Sequence, residues 1–533
     1  MKLNKESIKQ TAFWKDYNYT LPKYDIDAVT KATHDAPVWL HFGAGNLLRS
    51  FPAVLAQRLL SAGKAQTGII CCDGYDEELI DRCYRACDNL SIVVTLHDNQ
   101  TACKEVVASI TESLKLSEDF ARLEEIFAAP SLQMVSLSIT ENGYTFQDNT
   151  YTFLPAYAHD RDQGPTDCNS FFGKLTALSL SRCRKNLSPL ALVSLDNCQD
   201  NGVLLERAVR YMAKGWLDKG YITKEEHEYL TKRNTYPLTM IDKITPHPEK
   251  EVAAILEKDG LEDMQPFMTQ KNTYAAQFVN NEPIGYLLIE DNFPNGRPAL
   301  QNCGVIFTDR KSVEDTAIVR TSACMNEMDT ALGVYGILLG YKYISDEMKD
   351  KELVNLISRL SGDEAMPVVN KQVILDPEKF RREVLTQRYP NAFLRDTPHR
   401  IATDTSKKMA PRFGVLLQAY YDSMKPEHRA TSLVYTPLTI AGWLRYLVGV
   451  DDEGNEFELC PEPQLEQIRE LIGTLPFGKE VKRDQLYPLL ASRYYFGVNL
   501  FEVGVGETVV KMFNELNQGK GAVRQTLRKY CSD

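Results

Sequence analysis

The sequence predicts an α/β fold with a parallel sheet for the N-terminal part of the chain and a mainly α-helical fold for the C-terminal part. Short apolar runs bounded by Gly, Asp, Asn or Pro are typical of buried strands, and they occupy residues 38–42, 68–72, 134–139 and 190–195. Amphipathic stretches at 47–62 and 117–128 lie between these runs and predict helices. Such an alternation predicts a parallel sheet with helices on both faces.

The C-terminal part shows a different pattern. From about residue 310, apolar residues recur at three- and four-residue spacing, and strand-like runs become scarce; examples are 347–360, 463–475 and 508–516. This spacing is typical of amphipathic helices. At about 150 residues per domain, a chain of 533 residues has room for three or four domains. The change of pattern instead predicts two domains, 1–308 and 309–533.

Composition excludes several classes of protein. The chain has 61 Lys and Arg against 72 Asp and Glu, a net charge of −11, and no basic run that would bind a phosphate backbone. We therefore expect no nucleic-acid partner. The longest apolar stretch, 332–341, is about half of a membrane span and predicts a buried helix. We therefore expect no membrane insertion. The twelve cysteines lack the spacing of zinc ligands, so we expect no metal site. We expect reduced thiols in a cytoplasmic protein.

A glycine-rich turn follows the first apolar run. Gly43 and Gly45 form a Gly-x-Gly pair between the strand and a helix that begins near Asn46 and Leu47. The first glycine permits a tight turn, the second lets the backbone approach a pyrophosphate, and the helix N-terminus offers unsatisfied N–H groups. The third glycine of the usual motif is absent, with Leu48 in its place. The pattern fits either a dinucleotide site or an ordinary strand–turn–helix connection.

An acidic residue at the end of the second run supports the dinucleotide interpretation. The run 69–72 ends in Asp73, whose carboxylate can accept hydrogen bonds from both ribose hydroxyls and would repel a 2′-phosphate. This favours NAD over NADP. The alternative is that Asp73 only caps the next turn. Thr140 and Glu141 follow a later strand, at the sheet edge where ligands bind, and are predicted to line the nicotinamide side.

Several segments in the same order carry a resemblance to a known family. They read HFGAGNLLR at 41–49, TENGY at 140–144, SLDNCQDNG at 194–202, MIDKITP at 240–246, IEDNFPNGR at 289–297 and GAVRQTL at 521–527. These segments are similar to motifs of the mannitol dehydrogenase family, the polyol-specific long-chain dehydrogenases and reductases that include fructuronate and tagaturonate reductases. The resemblance runs through most of the chain.

The resemblance implies a Rossmann-type N-terminal domain, a helical C-terminal domain and a substrate cleft between them. The implied reaction is zinc-independent hydride transfer between NAD(H) and a sugar alcohol or aldonate and its ketose or keto-acid. Asn197 and Asp242 match positions that line the family's substrate cleft, Lys243 replaces an Arg beside Asp242, and Arg388 matches an Arg that faces the substrate. We expect a small sugar alcohol or sugar acid as partner, and a monomer or small homo-oligomer.

The helix that carries the family's catalytic residues departs from the pattern. In the family it holds a Lys that acts as general base, with an Asn and a His three residues apart. Here Asn326 matches the Asn, Asp329 replaces the His, and Arg320 lies at or next to the Lys position, with Thr321 as the other candidate. Arginine stays protonated in proteins, so Arg320 cannot take a proton, whereas Asp329 can.

Four interpretations of these changes stay open. Arg320 and Asp329 form ion pairs that only hold the helix in place; Asp329 has become the base; Arg320 clamps a carboxylated substrate; or hydride chemistry has been lost. Three functions are compatible with these interpretations: an NAD-dependent oxidoreductase, an NAD-binding sensor or regulatory protein without net turnover, and a sugar-acid epimerase that retains NAD.

Overall fold

The computed structural model describes residues 1–97, 101–146, 153–369, 373–423 and 429–532, without the side chains of Glu141 and Asn142. The chain divides into two compact units, Met1–Glu314 and Asp315–Asp533. The predicted domains divided the chain at residue 308. Over the described residues, we find no helix that is long and apolar enough to cross a membrane.

Over the described residues, the strands lie in the first unit. They are β1 (Tyr19–Thr20), β2 (Trp39–Phe42), β3 (Ile69–Asp73), β4 (Ser91–Leu96), β5 (Ala102–Val107), β6 (Ile110–Lys115), β7 (Met134–Leu137), β8 (Ala191–Ser194), β9 (Thr239–Asp242), β10 (Phe267–Met268), β11 (Tyr274–Ala275), β12 (Phe278–Asn281), β13 (Tyr286–Glu290) and β14 (Ile306–Thr308). Five of the described strands form one sheet, in the order β6-β3-β2-β7-β8. Every neighbouring pair in it is parallel, which confirms the predicted fold class.

The helices of this unit cover both faces of the parallel sheet. They are α1 (Thr11–Asp16), α2 (Ile26–Asp35), α3 (Asn46–Ser50), α4 (Pro52–Ser61), α5 (Phe120–Ala128), α6 (Thr140–Gly143), α7 (Pro155–Gln163), α8 (Phe171–Arg184), α9 (Asn201–Asp218), α10 (Lys224–Glu228) and α11 (Lys250–Lys258). Alternate strand residues point to opposite faces. Leu40 and Phe42 pack with α5, α8 and α9, whereas Trp39 packs with α4 on the other side.

The predicted helix at 47–62 is interrupted, so the prediction of one continuous helix was wrong. The structure has α3 and α4 instead, with Phe51 between them at φ −129° and ψ −71°. Proline lacks an N–H group and disfavours helical geometry in the residue before it. Pro52 therefore ends α3 at Ser50 and begins α4.

Three further sheets among the described residues were not predicted. Their strand orders are β1-β5-β4-β12, β14-β13-β9 and β10-β11. In the first, β4 and β5 form an antiparallel pair, and β12 is parallel to β4 although about 180 residues separate them in the chain. Sequence periodicity carries no information on pairing over such a distance.

The second unit is helical over its described residues. Helix α12 (Arg310–Val319) spans the boundary between the two units. The α-helices after it are α13 (Asn326–Leu338), α14 (Ile344–Glu347), α15 (Lys351–Arg359), α16 (Pro377–Glu383), α17 (Pro398–Ala402), α18 (Thr405–Met409), α19 (Val415–Asp422), α20 (Tyr435–Tyr446), α21 (Leu465–Ile472), α22 (Arg483–Leu490), α23 (Arg493–Phe496), α24 (Gly506–Leu516) and α25 (Ala522–Cys531). π-Helical segments include Arg320–Cys324, Val384–Arg388 and Ala410–Gly414. Almost every residue of α13 is buried, so it is the central helix of this unit.

Candidate functional site

The glycine-rich turn lies at the carboxyl end of β2. Gly43 has φ +113°, and a Cβ there would lie 2.3 Å from the carbonyl oxygen of Ser138, so the turn admits no larger residue. Its N–H group donates to the carbonyl oxygen of Cys72 at 2.8 Å. Gly45 differs, because a Cβ there would have no neighbouring atom within 4 Å. Gly43 is required by the fold, whereas the open side of Gly45 leaves room for a ligand against the backbone.

Asp73 joins the end of β3 to this turn. Its Oδ2 accepts a hydrogen bond of 2.7 Å from the N–H of Ala44, and its Oδ1 accepts from the N–H groups of Tyr75 and Asp76 at 2.7 and 2.8 Å. Asp73 therefore caps the turn after β3, as one of the two interpretations required. The same contact with Ala44 places its negative charge beside the glycine-rich turn.

The residues after the turn are held in the first unit. The Oδ1 of Asn46 accepts from Nη2 of Arg49 at 2.9 Å, and the fully buried Arg49 also donates to the carbonyl oxygen of Ala276 at 2.8 Å. Leu47 is half-buried against the core. Leu48, in the place of the third glycine, is completely buried. In the usual motif the third glycine lets the helix pack closely on the strand. Here the apolar side chain of Leu48 fills that space.

His41 supports the turn from beneath, and sequence reasoning did not single it out for this role. Its Nδ1 lies 2.7 Å from Ser136 Oγ, and its Nε2 lies 2.9 Å from Ser138 Oγ. Burial lowers the pKa of His41 to about 3, so the imidazole is neutral. His41 thereby links β2 to the segment whose carbonyl group contacts Gly43.

Thr140 begins α6 after β7 and adopts φ +63°. The carboxylate of Asp196 holds this unusual backbone: it accepts from the N–H groups of Ile139 and Thr140 at 3.1 and 2.7 Å, and from the hydroxyl of Tyr144 at 2.8 Å. Burial raises the pKa of Asp196, while these hydrogen bonds lower it. The sequence predicted no structural role for Asp196. The side chain of Glu141 lies outside the described residues.

Asp242 is the last residue of β9 and is buried, and Lys243 follows it. The Nζ of Lys243 donates to the carbonyl oxygens of Glu282 and Ile284 at 2.5 and 3.0 Å. These contacts tie Lys243 to the backbone of its own unit. Asn197 is exposed after β8.

The candidate catalytic residues lie where a helix is broken. We predicted Arg320, Asn326 and Asp329 on one helix, but Met325, at φ −154° and ψ −59°, separates the π-helical segment Arg320–Cys324 from α13. The prediction of one continuous helix is wrong, because the break removes the helical spacing between Arg320 and Asn326. A catalytic role for Arg320 stays a prediction. Asn326 and Asp329 share the first turn of α13, as three-residue spacing requires.

A tyrosine contacts the predicted acid–base residue. The hydroxyl of Tyr389 lies 2.7 Å from Oδ1 of Asp329 and 3.0 Å from the carbonyl oxygen of Met325. Burial raises the pKa of Asp329, and the positive charge of Arg412 opposes this change. The sequence predicted no role for Tyr389.

Two arginines flank the start of α13. Arg388 is buried, and its Nη1 lies 2.9 Å from Sδ of Met325. The Nη1 of Arg412 donates to the carbonyl oxygen of Asn326 and to Oγ1 of Thr330, both at 2.8 Å. Among the residues that the structure describes, the buried side-chain oxygen of Asn326 has no hydrogen-bond partner. An amide oxygen in this setting is available to a ligand hydroxyl.

Lys408 adds a third cationic side chain, from α18. Its Nζ donates to the carbonyl oxygen of Ile401 at 2.9 Å and to that of Thr403. Burial lowers the pKa of Lys408 to about 8, and the charge of Arg412 adds to this effect. Lys408 is half-buried, whereas the neighbouring Lys407 is exposed.

Glu327 is the residue that sequence reasoning missed altogether. It is completely buried, and neither carboxyl oxygen has a hydrogen-bond partner within the described part of the chain. Burial raises its pKa to about 8. The signal in the sequence is a charged residue among the apolar residues of a buried helix. In the described ranges, no group of three or more His, Cys, Asp or Glu side chains is arranged to hold a metal ion.

Both units match models of one protein family. The family model of the mannitol dehydrogenase Rossmann domain matches residues 38–302, and that of the mannitol dehydrogenase C-terminal domain matches residues 319–516. A relative from Thermotoga maritima named D-mannonate oxidoreductase is 43% identical over 535 residues, with 99% of each chain covered.

Solved structures show the same fold. Mannitol 2-dehydrogenase from Pseudomonas fluorescens, in a ternary complex with NAD and D-mannitol, has a TM-score of 0.74 at 24% identity over 99% of each chain. A D-sorbitol dehydrogenase in substrate-free form has a TM-score of 0.81 at 21% identity over 100% of each chain. With both units matched by family models and a full-length relative above 40% identity, the chain belongs to the mannitol dehydrogenase family.

Proposed function

We propose that this protein interconverts an aldonate with its keto-uronate by hydride transfer to and from NAD, with Asn326 and Asp329 at the reacting hydroxyl. As a member of the mannitol dehydrogenase family, the protein is an NAD-dependent oxidoreductase that acts on CH–OH groups of polyols or sugar acids. The observation that carries the choice of a sugar acid is the set of cationic side chains around the start of α13, namely Arg388, Lys408 and Arg412.

The glycine-rich turn fits the cofactor. The space beside Gly45 allows the backbone to approach a pyrophosphate, and Asp73 places a carboxylate next to the turn. A carboxylate at this position accepts hydrogen bonds from ribose hydroxyls and repels a 2′-phosphate, which favours NAD over NADP. When bound, NAD accepts or supplies the hydride. We assign Gly43, Gly45, Asn46, Leu47, Asp73 and Thr140 to its binding.

The helical unit offers the groups that the substrate chemistry needs. Arginine forms paired hydrogen bonds with a carboxylate, so Arg388 is suited to the acid group of an aldonate. The available oxygen of Asn326 can accept a hydrogen bond from the substrate hydroxyl. Asp329 can exchange a proton with that hydroxyl, which Arg320 cannot. We retain Asn197, Asp242 and Lys243 as further candidates for substrate binding.

The substrate assignment also draws on the relative from Thermotoga maritima, whose printed name refers to D-mannonate. A carboxylated substrate would make use of the paired N–H donors of Arg388, which a neutral polyol does not need. We therefore favour an aldonate over a polyol, and turnover over a purely regulatory role.

The test is a comparison of substrates with the purified full-length protein. NAD and NADH binding is measured first by calorimetry, and NADH absorbance then follows turnover of D-mannonate, other aldonates, keto-uronates and neutral polyols. We expect a higher kcat/KM for the acids. Higher kcat/KM for polyols would overturn the choice of substrate, and NADH binding without turnover of any substrate would favour the regulatory function. Interconversion of epimers without added NAD would instead favour the epimerase.

A further inference from the structure

We propose that Asp329 holds a proton in the resting protein and acts as general acid in reduction, and that Tyr389 is the positioning residue that receives the hydrogen bond of this acid and stabilises the carboxylate left after proton transfer. The inference rests on the proposed function for the identity of the substrate. The protonation of Asp329 itself rests on the hydrogen-bond geometry and the surroundings of Asp329 in the helical unit.

The geometry follows from a count of hydrogens. The Oη of Tyr389 lies 2.7 Å from Oδ1 of Asp329 and 3.0 Å from the carbonyl oxygen of Met325. A phenol has one hydrogen to donate, and a carboxylate or carbonyl oxygen has none. If Asp329 is ionised, the two acceptors share that hydrogen. If Asp329 is protonated, it donates to Tyr389, and Tyr389 donates to Met325, so that both contacts are full hydrogen bonds.

The surroundings of Asp329 favour the neutral acid. Burial raises the pKa of Asp329, and Tyr389 beside it is also buried. Arg412 in the segment Ala410–Gly414 and the N-terminus of α13 oppose this effect. On the remaining side, Asp396 and Arg400 form a 2.6 Å ion pair, so their opposite charges largely offset each other.

Lys408 and Glu327 complete the charged surroundings. Lys408 and Asp329 interact electrostatically, and this attraction raises the pKa of Lys408 against the larger effect of burial. Glu327 is the neighbouring acid on α13. Burial raises its pKa to about 8, and a negative charge on Asp329 adds to this effect, so the two acids disfavour each other's ionisation. Glu327 is completely buried, whereas Asp329 keeps exposed surface. Only Asp329 is therefore open to a ligand.

The proton transfer balances with the hydride transfer. In reduction, bound NADH would supply a hydride to the carbonyl carbon of the keto-uronate and become NAD⁺, while the carbonyl oxygen forms a new O–H bond with the proton of Asp329. The O–H bond of Asp329 breaks, and its electron pair stays on the carboxylate. The hydroxyl of Tyr389 then turns from Met325 to donate to this carboxylate, and a proton from solvent water restores the acid.

This assignment predicts opposite pH dependence in the two directions. Reduction requires protonated Asp329, so its kcat falls as the pH rises through the pKa of Asp329, and oxidation rises over the same range. Because Tyr389 stabilises the carboxylate, Tyr389→Phe raises the pKa of Asp329. We expect both midpoints to move to higher pH by about one unit, the size of a hydrogen bond to a charged group.

The first experiment compares the pH profiles of kcat for the wild type, Tyr389→Phe and Tyr420→Phe. The control removes a similar contact, since the Tyr420 hydroxyl donates to the carbonyl oxygen of Glu364 at 2.8 Å within the same unit. We expect a shift for Tyr389→Phe and none for Tyr420→Phe. A Tyr389→Phe profile with lower kcat but unchanged midpoints would overturn the role of Tyr389, because a purely structural defect does not move a midpoint.

The second experiment does not depend on turnover. Infrared spectra of the full-length protein near neutral pH show the carbonyl band of protonated carboxyl groups, and the difference between wild type and Asp329→Asn isolates Asp329, with Glu327→Gln as the matched control. We expect a band that is lost in Asp329→Asn and titrates at higher pH in Tyr389→Phe. If Asp329 ionises with an ordinary pKa of about 4, the inference fails. Absence of turnover with every sugar acid would overturn the proposed function, whereas the band alone decides the protonation of Asp329.

Discussion

The carboxylate of Asp73 accepts a hydrogen bond of 2.7 Å from the backbone N–H of Ala44, and so the end of β3 holds the glycine-rich turn that follows β2. The same carboxylate also caps its own turn through Tyr75 and Asp76. The two interpretations of Asp73 that the sequence left open are thus compatible for one ribose hydroxyl, because three N–H groups leave about one of the four lone-pair sites of the carboxylate.

We expect Asp73→Asn to weaken NAD binding by about tenfold or more, because the substitution removes the negative charge and turns an amide N–H₂ group towards backbone donors. Binding of NADP should weaken less, since the repulsion of a 2′-phosphate disappears. Calorimetry with both nucleotides measures the ratio of affinities. Asp76→Asn is the control, because Asp76 is a buried neighbour that accepts from the Thr269 hydroxyl at 2.6 Å. An unchanged NAD/NADP ratio in Asp73→Asn would remove Asp73 from the ribose site.

A pair of glycine variants separates folding from binding. Gly43→Ala introduces a Cβ 2.3 Å from the Ser138 carbonyl oxygen at φ +113°, and we expect it to lower the free energy of unfolding by about 1–3 kcal/mol. Gly45→Ala adds a methyl group to open space at φ −72°. We expect Gly45→Ala to keep the wild-type Tm and to bind NAD at least about tenfold more weakly. Thermal denaturation and calorimetry check both variants, and normal NAD binding by Gly45→Ala would contradict the placement of the pyrophosphate.

The sequence predicts the part of the fold that is local. The strands β2, β3, β7 and β8 were found because buried parallel strands are continuous apolar runs between turn residues. The sheet that contains β4, β5 and β12 was missed, since β12 pairs with a segment far away in the chain. Pro52 explains the break between α3 and α4, and it can be read in the sequence. The break at Met325 has no neighbouring Pro or Gly, so the sequence does not predict it.

The candidate site was predictable to the same extent. Gly43 and Asp73 follow from their places in strand–turn–helix segments, because that context is local. The contact of Tyr389 with Asp329 joins residues 60 positions apart, so only tertiary structure brings the two together. The pKa values of Glu327 and Lys408 depend on burial, which residue types alone do not specify.

His41 makes stability depend on pH in the acidic range. Its pKa is about 3 in the folded protein and about 6.5 in an unfolded chain, so its contribution is fully present above pH 6.5 and is lost as the pH falls towards 3. By pH 5 the loss from this group should reach about 2 kcal/mol. We expect His41→Gln, which cannot take up this proton, to be less stable than the wild type at pH 7 but to lose less stability between pH 7 and pH 5.

Urea unfolding of the wild type, His41→Gln and His399→Gln at both pH values tests this expectation. His399 is exposed, so its replacement should leave the wild-type pH dependence in place. Curves for His41→Gln and wild type that fall in parallel from pH 7 to pH 5 would show that His41 is not the group responsible.

Two adjacent lysines test the proposed binding of a sugar acid. Lys408 is half-buried with a pKa of about 8, and Lys407 is exposed. Because burial lowers this pKa, the cation is present below about pH 8 and is lost above it. If the cation of Lys408 attracts the substrate carboxylate, KM for an aldonate should rise as the pH passes 8.

We expect Lys408→Met to raise that KM at pH 7 by about tenfold, with kcat little changed. Lys408→Arg, which stays charged, should keep a low KM at high pH, and Lys407→Met should change KM by less than about twofold, as is usual for a solvated charge. Steady-state kinetics with an aldonate and a neutral polyol measure these effects, because KM for the polyol should not respond to either lysine. An aldonate KM that is unchanged in Lys408→Met would mean that Arg388 and Arg412 bind the carboxylate without Lys408.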